Sequence, residues 1–197
     1  MKGLVVFASG SGTNFQSLID AIEKGELSAT IKGLITDKPG IGSIERAKEH
    51  NIPHKVIAPS AFNSESDFSD ALLEQLRTWN TDLIVLAGYL KKIPLQIIEK
   101  FEDRILNIHP SLLPKYGGKG FYGLNVHKAV IKNQEPVSGC TVHLVNEEFD
   151  KGPILAQSRV PVKPDDTPET LAARILKQEH QLLPATIEDY LNKLRKT

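Results

Sequence analysis

Two polar residues at the end of an apolar run, Asn107 and His109, are the part of this sequence best suited to chemistry. Side chains alternate along a strand, so both face the same side of it. Pro110 follows and ends the strand, because it cannot donate to a ladder of hydrogen bonds. An amide beside an imidazole can hold a developing oxyanion and transfer a proton. The pair therefore predicts a catalytic site at the carboxyl end of a strand, where open α/β sheets usually bind ligands.

A glycine-rich segment near the N-terminus, residues 9–14, has the sequence SGSGTN. It falls where the first predicted strand turns into the first predicted helix. Glycines allow a tight turn and a close ligand approach, and a helix start offers free N–H groups and the positive end of its dipole. We interpret this segment as a phosphate cradle, with a tight turn capped by a Ser, Thr or Asn side chain as the alternative.

Two other kinds of nucleotide site fit this segment less well. A P-loop has a lysine after its glycines, and this segment has none. A dinucleotide fold has a third small residue where this chain has Phe15. Asp37 does end the second predicted strand, where a ribose-binding acid would lie, so a dinucleotide cofactor stays open as the weaker alternative.

An acidic turn, residues 146–152 with the sequence NEEFDKG, lies between two strand-like runs. Acids in such a turn are usually solvated. A carboxylate that reached His109 would instead fix the tautomer of its ring and stabilise its charged form. The spacing alone does not say which of the acids would do so.

None of the other histidines has the spacing of metal ligands, so we expect no metal. These are His50, His54, His127, His143 and His180. We interpret His143, inside a strand-like run, as a buried core histidine. The single cysteine, Cys140, lies in the same run and is predicted to be a small buried residue rather than a nucleophile.

The overall composition excludes several classes of function. Lys and Arg number 24 and Asp and Glu number 24, so we expect neither nucleic acid nor an anionic membrane as a partner. The apolar run at the N-terminus is too short for a membrane span. One cysteine allows no intramolecular disulfide and suits a reducing compartment. We therefore expect a cytoplasmic protein.

Apolar runs alternate with amphipathic stretches, which predicts an α/β domain with a largely parallel sheet. The predicted strands are 4–8, 31–36, 55–58, 83–87, 105–108, 141–145 and 154–162, and the predicted helices are 14–24, 43–50, 67–79, 95–101, 126–132 and 167–196. The apolar character of the early strands is continuous, so helices should cover both faces of the sheet. We expect the last helix to start with Pro168 and to break or kink at Pro184, and we expect one domain over residues 1–197.

Four blocks of sequence occur in an order that strongly resembles the folate-dependent phosphoribosylglycinamide formyltransferases. They are SGSGTN at 9–14, LAGY at 86–89, LNIHPSLLPKY at 106–116 and DKGPILAQ at 150–157. The similarity covers essentially the whole chain. The block around residue 109 is shared with other formyl-folate enzymes, whereas the glycine-rich segment resembles the glycinamide enzyme more specifically. In one departure, this chain has Lys91, Lys92 and Ile93 where many relatives have Arg-Ile-Leu.

This resemblance implies a Rossmann-like fold, an open twisted and mostly parallel sheet, with substrate binding in the N-terminal part and folate binding and catalysis in the C-terminal part. It implies formyl transfer from 10-formyltetrahydrofolate to the amine of phosphoribosylglycinamide, and a cis peptide bond between Leu113 and Pro114. The implied catalytic residues are Asn107, His109 and Asp150, and the implied substrate-binding residues are Gly12, Thr13, Asn14, Gly88 and Glu179. The implied folate-binding residues are Leu90, Lys91, Lys92, Ile93, Asn107, Asn146, Glu147 and Asp150.

Two rival functions remain open at this point. A non-catalytic module that binds a phosphometabolite would use only the glycine-rich segment and would leave Asn107 beside His109 unexplained. A formyl-folate hydrolase, with water as the acceptor, would leave the phosphate cradle unused. We expect small-molecule partners and either a monomer or a homodimer.

Overall fold

A computed structural model describes residues 1–194 of the chain. The strands are β1 (Lys2–Ala8), β2 (Ala29–Thr36), β3 (His54–Val56), β4 (Leu83–Leu86), β5 (Ile105–His109), β6 (Val137–Leu144) and β7 (Ile154–Pro161). The helices are α1 (Thr13–Glu23), α2 (Gly42–Glu49), α3 (Glu65–Thr78), α4 (Leu95–Lys100), α5 (Leu124–Lys132) and α6 (Pro168–Leu194), with a 3₁₀ turn at Pro59–Ala61. Residues 195 and 196, predicted as the end of the last helix, lie outside the described residues.

The strands form one seven-stranded sheet in the order β3-β2-β1-β4-β5-β6-β7. Strands β1 to β5 are parallel, and β6 and β7 continue the sheet in antiparallel pairs. This confirms the prediction of a mostly parallel α/β sheet. The chain order reverses between β1 and β4, so the carboxyl ends of these two strands flank the switch point where such sheets bind ligands.

The sheet is covered on both faces, as the continuous apolar strands predict. Along β1, Val6 packs into a core layer with Phe15 of α1 and Ile175 of α6. Its neighbour Phe7 points the other way, into a layer with Leu72 of α3. Alternation along one buried strand thus supplies both layers, and burying such side chains stabilises the fold by about 1.5–3 kcal/mol each.

Helix α6 begins at Pro168, as predicted, and runs through Pro184 without a break, whereas a kink at Pro184 stays a prediction. That proline lies inside the helix and is buried. Its neighbours Leu183 and Ile187 are fully buried in the core layer that holds α1. A proline inside a helix costs about 3 kcal/mol. Burial of the two flanking side chains offsets a cost of that size, which the local sequence pattern does not reveal.

The Leu113–Pro114 peptide bond is cis, as the resemblance implies. Cys140 is fully buried, and burial, together with the nearby carboxyl of Glu179, raises the pKa of Cys140 to about 12, which suits a packing role. Within residues 1–194, no helix is both long and apolar enough to cross a membrane. The organisation of the whole chain as one domain stays a prediction.

Candidate active site

A cavity of about 780 Å³ opens at the carboxyl ends of the central parallel strands. Its wall is formed by the glycine-rich segment, the chain after β4, the end of β5, the turn after β6 and one face of α6. Almost every site residue proposed from the sequence lines it: Thr13, Asn14, Gly88, Leu90, Lys91, Lys92, Ile93, Asn107, His109, Asn146, Glu147, Asp150 and Glu179. Segments distant in sequence therefore meet at one site, as the positions of their strand ends predict.

The start of helix α1 is free of protein caps. Gly12 occupies the N-cap position in the left-handed region, with φ of 74°. No side chain caps the helix, and its first turn holds no acid. The capped-turn alternative is therefore wrong. The N–H groups and the positive dipole end of α1 are left for an anion, which supports the phosphate-cradle interpretation.

Helix α2 supports the glycine-rich segment from behind. The Ser43 N–H donates to the Gly10 carbonyl at 3.1 Å, and Arg46 Nε donates to the Ser11 carbonyl at 2.9 Å. A Cβ atom on Gly12 would lie 2.7 Å from the Ser43 Cα. Gly12 itself does not line the cavity. Its lack of a side chain thus serves close packing on α2, in addition to the left-handed turn, rather than the approach of a ligand to its own α-carbon.

Asn14 and Glu179 form a buried polar pair at one end of the cavity. Asn14 Nδ2 donates to Glu179 Oε2 at 2.6 Å, and the two residues are 8% and 6% exposed. Burial raises the pKa of Glu179, and the hydrogen bond from Asn14 opposes this only in part. The buried Asn14 Oδ1 has no hydrogen-bond partner. The pair therefore offers acceptors to hydroxyl or amine donors of a ligand.

His109 lies between two acceptors at the end of β5. Its Nε2 is 2.7 Å from the Tyr116 carbonyl oxygen, and its Nδ1 is 3.5 Å from Asp150 Oδ2. Burial lowers the pKa of His109 below its ordinary value, and Asp150 and the Tyr116 carbonyl oppose that effect. Asp150 by itself favours the charged imidazole, as expected. Burial has a larger effect on the His109 pKa than Asp150 has, because the imidazole is almost completely removed from water.

Among the acids of the turn after β6, Asp150 is the one that reaches His109. Glu147 and Glu148 are exposed, and Glu148 forms an ion pair with Lys151. Asp150 Oδ2 instead accepts from the Gly118 N–H at 2.8 Å. Burial by itself would raise the pKa of Asp150, but hydrogen bonds and nearby histidines outweigh it and lower the pKa. Asp150 is therefore ionised at neutral pH.

Asn107 and His143 are linked across the antiparallel pair β5 and β6, where they stand opposite each other. Asn107 Nδ2 lies 3.0 Å from His143 Nε2 and donates to Asp150 Oδ1 at 3.4 Å. His143 Nδ1 lies 2.8 Å from the Leu144 carbonyl, which can only accept, so Nε2 of the neutral ring is the acceptor. His143 is buried, as predicted, but it also orients Asn107, and this role was missed because it depends on strand register.

His127 is a second cavity residue that the sequence interpretation did not select. It lies on α5 and is 4% exposed, and its Nδ1 has no hydrogen-bond partner. Burial, with a smaller contribution from His109, lowers the pKa of His127 to about 4, so its ring is neutral. Within residues 1–194, His, Cys, Asp and Glu side chains form no group of three that could hold a metal ion. The expectation of a metal-free site stays a prediction.

Comparison with known proteins identifies relatives over nearly the whole chain. Residues 2–187 match the family model described as Formyl transferase. The phosphoribosylglycinamide formyltransferase of Haemophilus influenzae is 41% identical over 188 residues, which cover 95% of this chain and 86% of that protein. A chloroplastic phosphoribosylglycinamide formyltransferase of Vigna unguiculata is 47% identical over 95% of this chain, which spans only 60% of that relative's length.

Solved structures give the same result. The phosphoribosylglycinamide formyltransferase of Bacillus halodurans superposes with a TM-score of 0.91 at 39% identity, covering 98% of this chain and 97% of that one. The family match and these relatives confirm the resemblance seen in the sequence. This chain belongs to the formyl transferase family, among the phosphoribosylglycinamide formyltransferases.

Proposed function

We propose that this protein transfers the formyl group of 10-formyltetrahydrofolate to the amine of phosphoribosylglycinamide, a step of purine synthesis. One observation carries the proposal: a single cavity joins an uncapped helix start to the cluster of Asn107, His109 and Asp150. The first feature suits the phosphate of one substrate, and the second suits acyl transfer. A simple phosphate-binding module would need only the first.

Phosphoribosylglycinamide, the ribonucleotide substrate, would lie along the wall formed by α1, α6 and the chain after β4. Its phosphate would meet the N–H groups at the start of α1, with Gly12, Thr13 and Asn14 around it. Glu179 and Asn14 Oδ1 would accept from hydroxyl or amine groups of the substrate. Gly88 has φ of 77° and open space where a Cβ would be, so a substrate can approach its backbone closely.

The reduced folate would lie between the segment 90–93 and the acidic turn. Leu90 is half exposed and Ile93 is buried beside it, and together they offer apolar surface to a ring system. Lys91 and Lys92 lie on the same wall, and Lys91 forms an ion pair with Asp37 at 3.7 Å. The remaining positive charge at this wall suits the carboxylates of a folate. Asn146 and Glu147 complete the opposite wall with hydrogen-bonding groups.

In the reaction, the amine attacks the formyl carbon and a tetrahedral intermediate with an oxyanion forms. The protonated His109 would donate to that oxygen through Nδ1–H, because Nδ1 stands 3.5 Å from Asp150 and is not held at hydrogen-bond distance. Asn107 would also stabilise the oxyanion. Its amide N–H that donates to Asp150 Oδ1 at 3.4 Å would donate to the oxyanion instead. The amine proton then passes to the folate nitrogen, through His109 or water, as the carbon–nitrogen bond to the folate breaks.

Several wider features of the protein belong to the same proposal. The substrates are two small molecules, and neither nucleic acid nor a membrane is needed as a partner. A monomer or a homodimer is compatible with a cavity built from one chain. A cytoplasmic location rests on the single cysteine and balanced charge, whereas the Vigna unguiculata relative is named chloroplastic.

An assay of folate release with and without glycinamide ribonucleotide tests the proposed function. We expect tetrahydrofolate to appear only when the ribonucleotide is present, together with an equal amount of formylated product. Release without the ribonucleotide would identify a hydrolase. Binding of the ribonucleotide without any release would identify a non-catalytic module. Either result would overturn the proposal.

A further inference from the structure

The carbonyl that faces His109 belongs to a residue in an unusual backbone conformation. Tyr116 has φ of 55°, in the left-handed region that residues other than glycine seldom adopt. Its carbonyl oxygen lies 2.7 Å from His109 Nε2. Such a conformation persists only where the surroundings fix it. What fixes Tyr116 therefore also fixes one of the two acceptors of His109.

The Tyr116 side chain is held at its hydroxyl, on the side away from the cavity. The hydroxyl donates to Glu135 Oε1 at 3.0 Å and accepts from Asn133 Nδ2 at 2.9 Å. Glu135 also accepts from Lys115 Nζ at 2.9 Å. Asn133 and Glu135 lie between α5 and β6, and neither lines the cavity. No step of the proposed reaction uses them.

We propose that Glu135 and Asn133 are positioning residues of the active site: they hold the Tyr116 ring so that the Tyr116 carbonyl stays against His109 Nε2. A carbonyl can only accept, so Nε2 must carry a hydrogen. Asp150, on the other side of the ring, is ionised, and its Oδ2 lies 3.5 Å from Nδ1. A hydrogen-bond acceptor on one side and a carboxylate charge on the other favour the doubly protonated ring, the form that donates to an oxyanion.

The other groups that face His109 do not replace this acceptor. His143 on β6 and His127 on α5 both interact with His109 electrostatically. A charge on His143 would oppose the charged ring of His109, and His127 is neutral at physiological pH, so neither histidine takes the place of the Tyr116 carbonyl. With burial also opposing it, the imidazolium depends on the Tyr116 carbonyl and the Asp150 carboxylate. The hydrogen bonds of Glu135 and Asn133 to the Tyr116 hydroxyl form a tether for this carbonyl. Loosening the tether should therefore lower the protonated fraction of His109.

The surrounding loop keeps other anchors when the tether is cut, so the variants should fold. Ser111 Oγ donates to the Lys115 carbonyl at 2.7 Å, and the Leu113 N–H donates to Thr141 Oγ1 at 3.1 Å. Tyr116→Phe removes only the tethered hydroxyl. Glu135→Leu removes its acceptor, whereas Glu135→Gln keeps one. Lys115→Met is the matched control, because it removes the ion pair to Glu135 and leaves the hydroxyl bonded.

The test combines NMR titration of His109 with pH profiles of kcat. In Tyr116→Phe and Glu135→Leu we expect a lower His109 pKa and a kcat about tenfold lower at neutral pH, a modest share of acid–base assistance. The deficit should shrink as the pH is lowered, and both KM values should change little. Glu135→Gln and Lys115→Met should resemble the parent protein.

An unchanged His109 titration in both tether variants would overturn the inference, even if kcat fell, because a purely structural loss would not move that pKa. The role of His109 in catalysis rests on the proposed function, but the titration needs no substrate. If the parent protein transferred no formyl group, the proposed function would fail. The tether would then still be judged by the His109 pKa alone.

Discussion

At the scale of single residues, the balance around His109 decides what the site can do. Burial disfavours the imidazolium, and Asp150 and the Tyr116 carbonyl favour it. The balance makes the charge of His109 sensitive to each acceptor separately. Asp150 in turn stays ionised because the Gly118 N–H and Asn107 Nδ2 donate to its oxygens and the His109 ring lies beside them. The active site is thus a set of mutually dependent protonation states rather than one special residue.

The substitution Asp150→Asn tests this dependence. It keeps the size of the side chain and removes its charge, so the His109 pKa should fall further and less imidazolium should exist at neutral pH. We expect kcat to fall by about 10²–10⁴, the usual range for loss of acid–base assistance, with much smaller changes in KM. NMR titration of His109 beside the pH–rate profile measures both effects.

Glu74→Gln, on the exposed side of α3, is the matched control and should be silent. If Asp150→Asn left the His109 pKa and turnover near normal, Asp150 would only hold the loop through the Gly118 N–H and would not be part of the catalytic group.

Sequence reasoning could place Asn107 and His109 together because strand alternation depends only on neighbours in the chain. Spacing alone could not choose Asp150 from the turn, although the family resemblance implied it, because Asp150 adopts a left-handed conformation, with φ of 56°, that no local pattern shows. Sequence reasoning also missed the second role of His143, which stands opposite Asn107 only once the register of β5 and β6 is known. Local sequence patterns thus identified Asn107 and His109, whereas the residues that contact them depend on the pairing of strands distant in sequence.

At the scale of elements, the glycine-rich segment depends on helix α2. The Ser43 N–H and the Arg46 side chain hold two carbonyls of the segment, so its N–H groups are left for the ligand side. The helical periodicity of α2 was readable from sequence, but its contact with residues 9–14 was not. A motif that looks self-contained in sequence is shaped in the structure by a helix some thirty residues later.

Two glycines of the segment should respond differently to the same small change. Gly12→Ala places a Cβ against Ser43 in a left-handed turn, and we expect a loss of about 1–3 kcal/mol of stability together with weaker ribonucleotide binding. Gly10→Ala is the matched control, because a Cβ there meets nothing within 4 Å. Thermal unfolding and ribonucleotide titration of both variants check this. Equal effects at the two positions would remove α2 packing as the reason for Gly12.

At the scale of the whole molecule, helix α6 connects the packing of the sheet to the substrate site. The helix buries Ile175, Leu183 and Ile187 against the sheet, and one turn of the same helix presents Glu179 to the cavity. A carboxyl buried to that extent carries a penalty for its charged form. The protein therefore places a destabilising group in the middle of a stabilising helix, where the proposed substrate would use it.

The substitution Glu179→Gln should separate stability from function. The pKa of Glu179 is raised in the folded state above its ordinary value of 4.5, so the folded protein binds more protons than the unfolded chain in that window. Stability from this group is then present at low pH and is lost as the pH rises through the folded pKa. Glutamine carries no such charge and can still accept from Asn14. The variant should be more stable than the parent at pH 8 and no more stable below about pH 4.5.

A rise of about 2–4 °C in Tm at pH 8 would correspond to about 1 kcal/mol at this chain length. Ribonucleotide binding should weaken by about 1.5–3 kcal/mol, the scale of a hydrogen bond to a charged group, while folate binding stays unchanged. Calorimetric unfolding from pH 4 to pH 8 beside the two titrations measures all of this. A lower Tm than the parent at pH 8 would contradict the argument, since it would mean that the Glu179 carboxylate stabilises the fold. Unchanged ribonucleotide affinity would instead remove Glu179 from the substrate site.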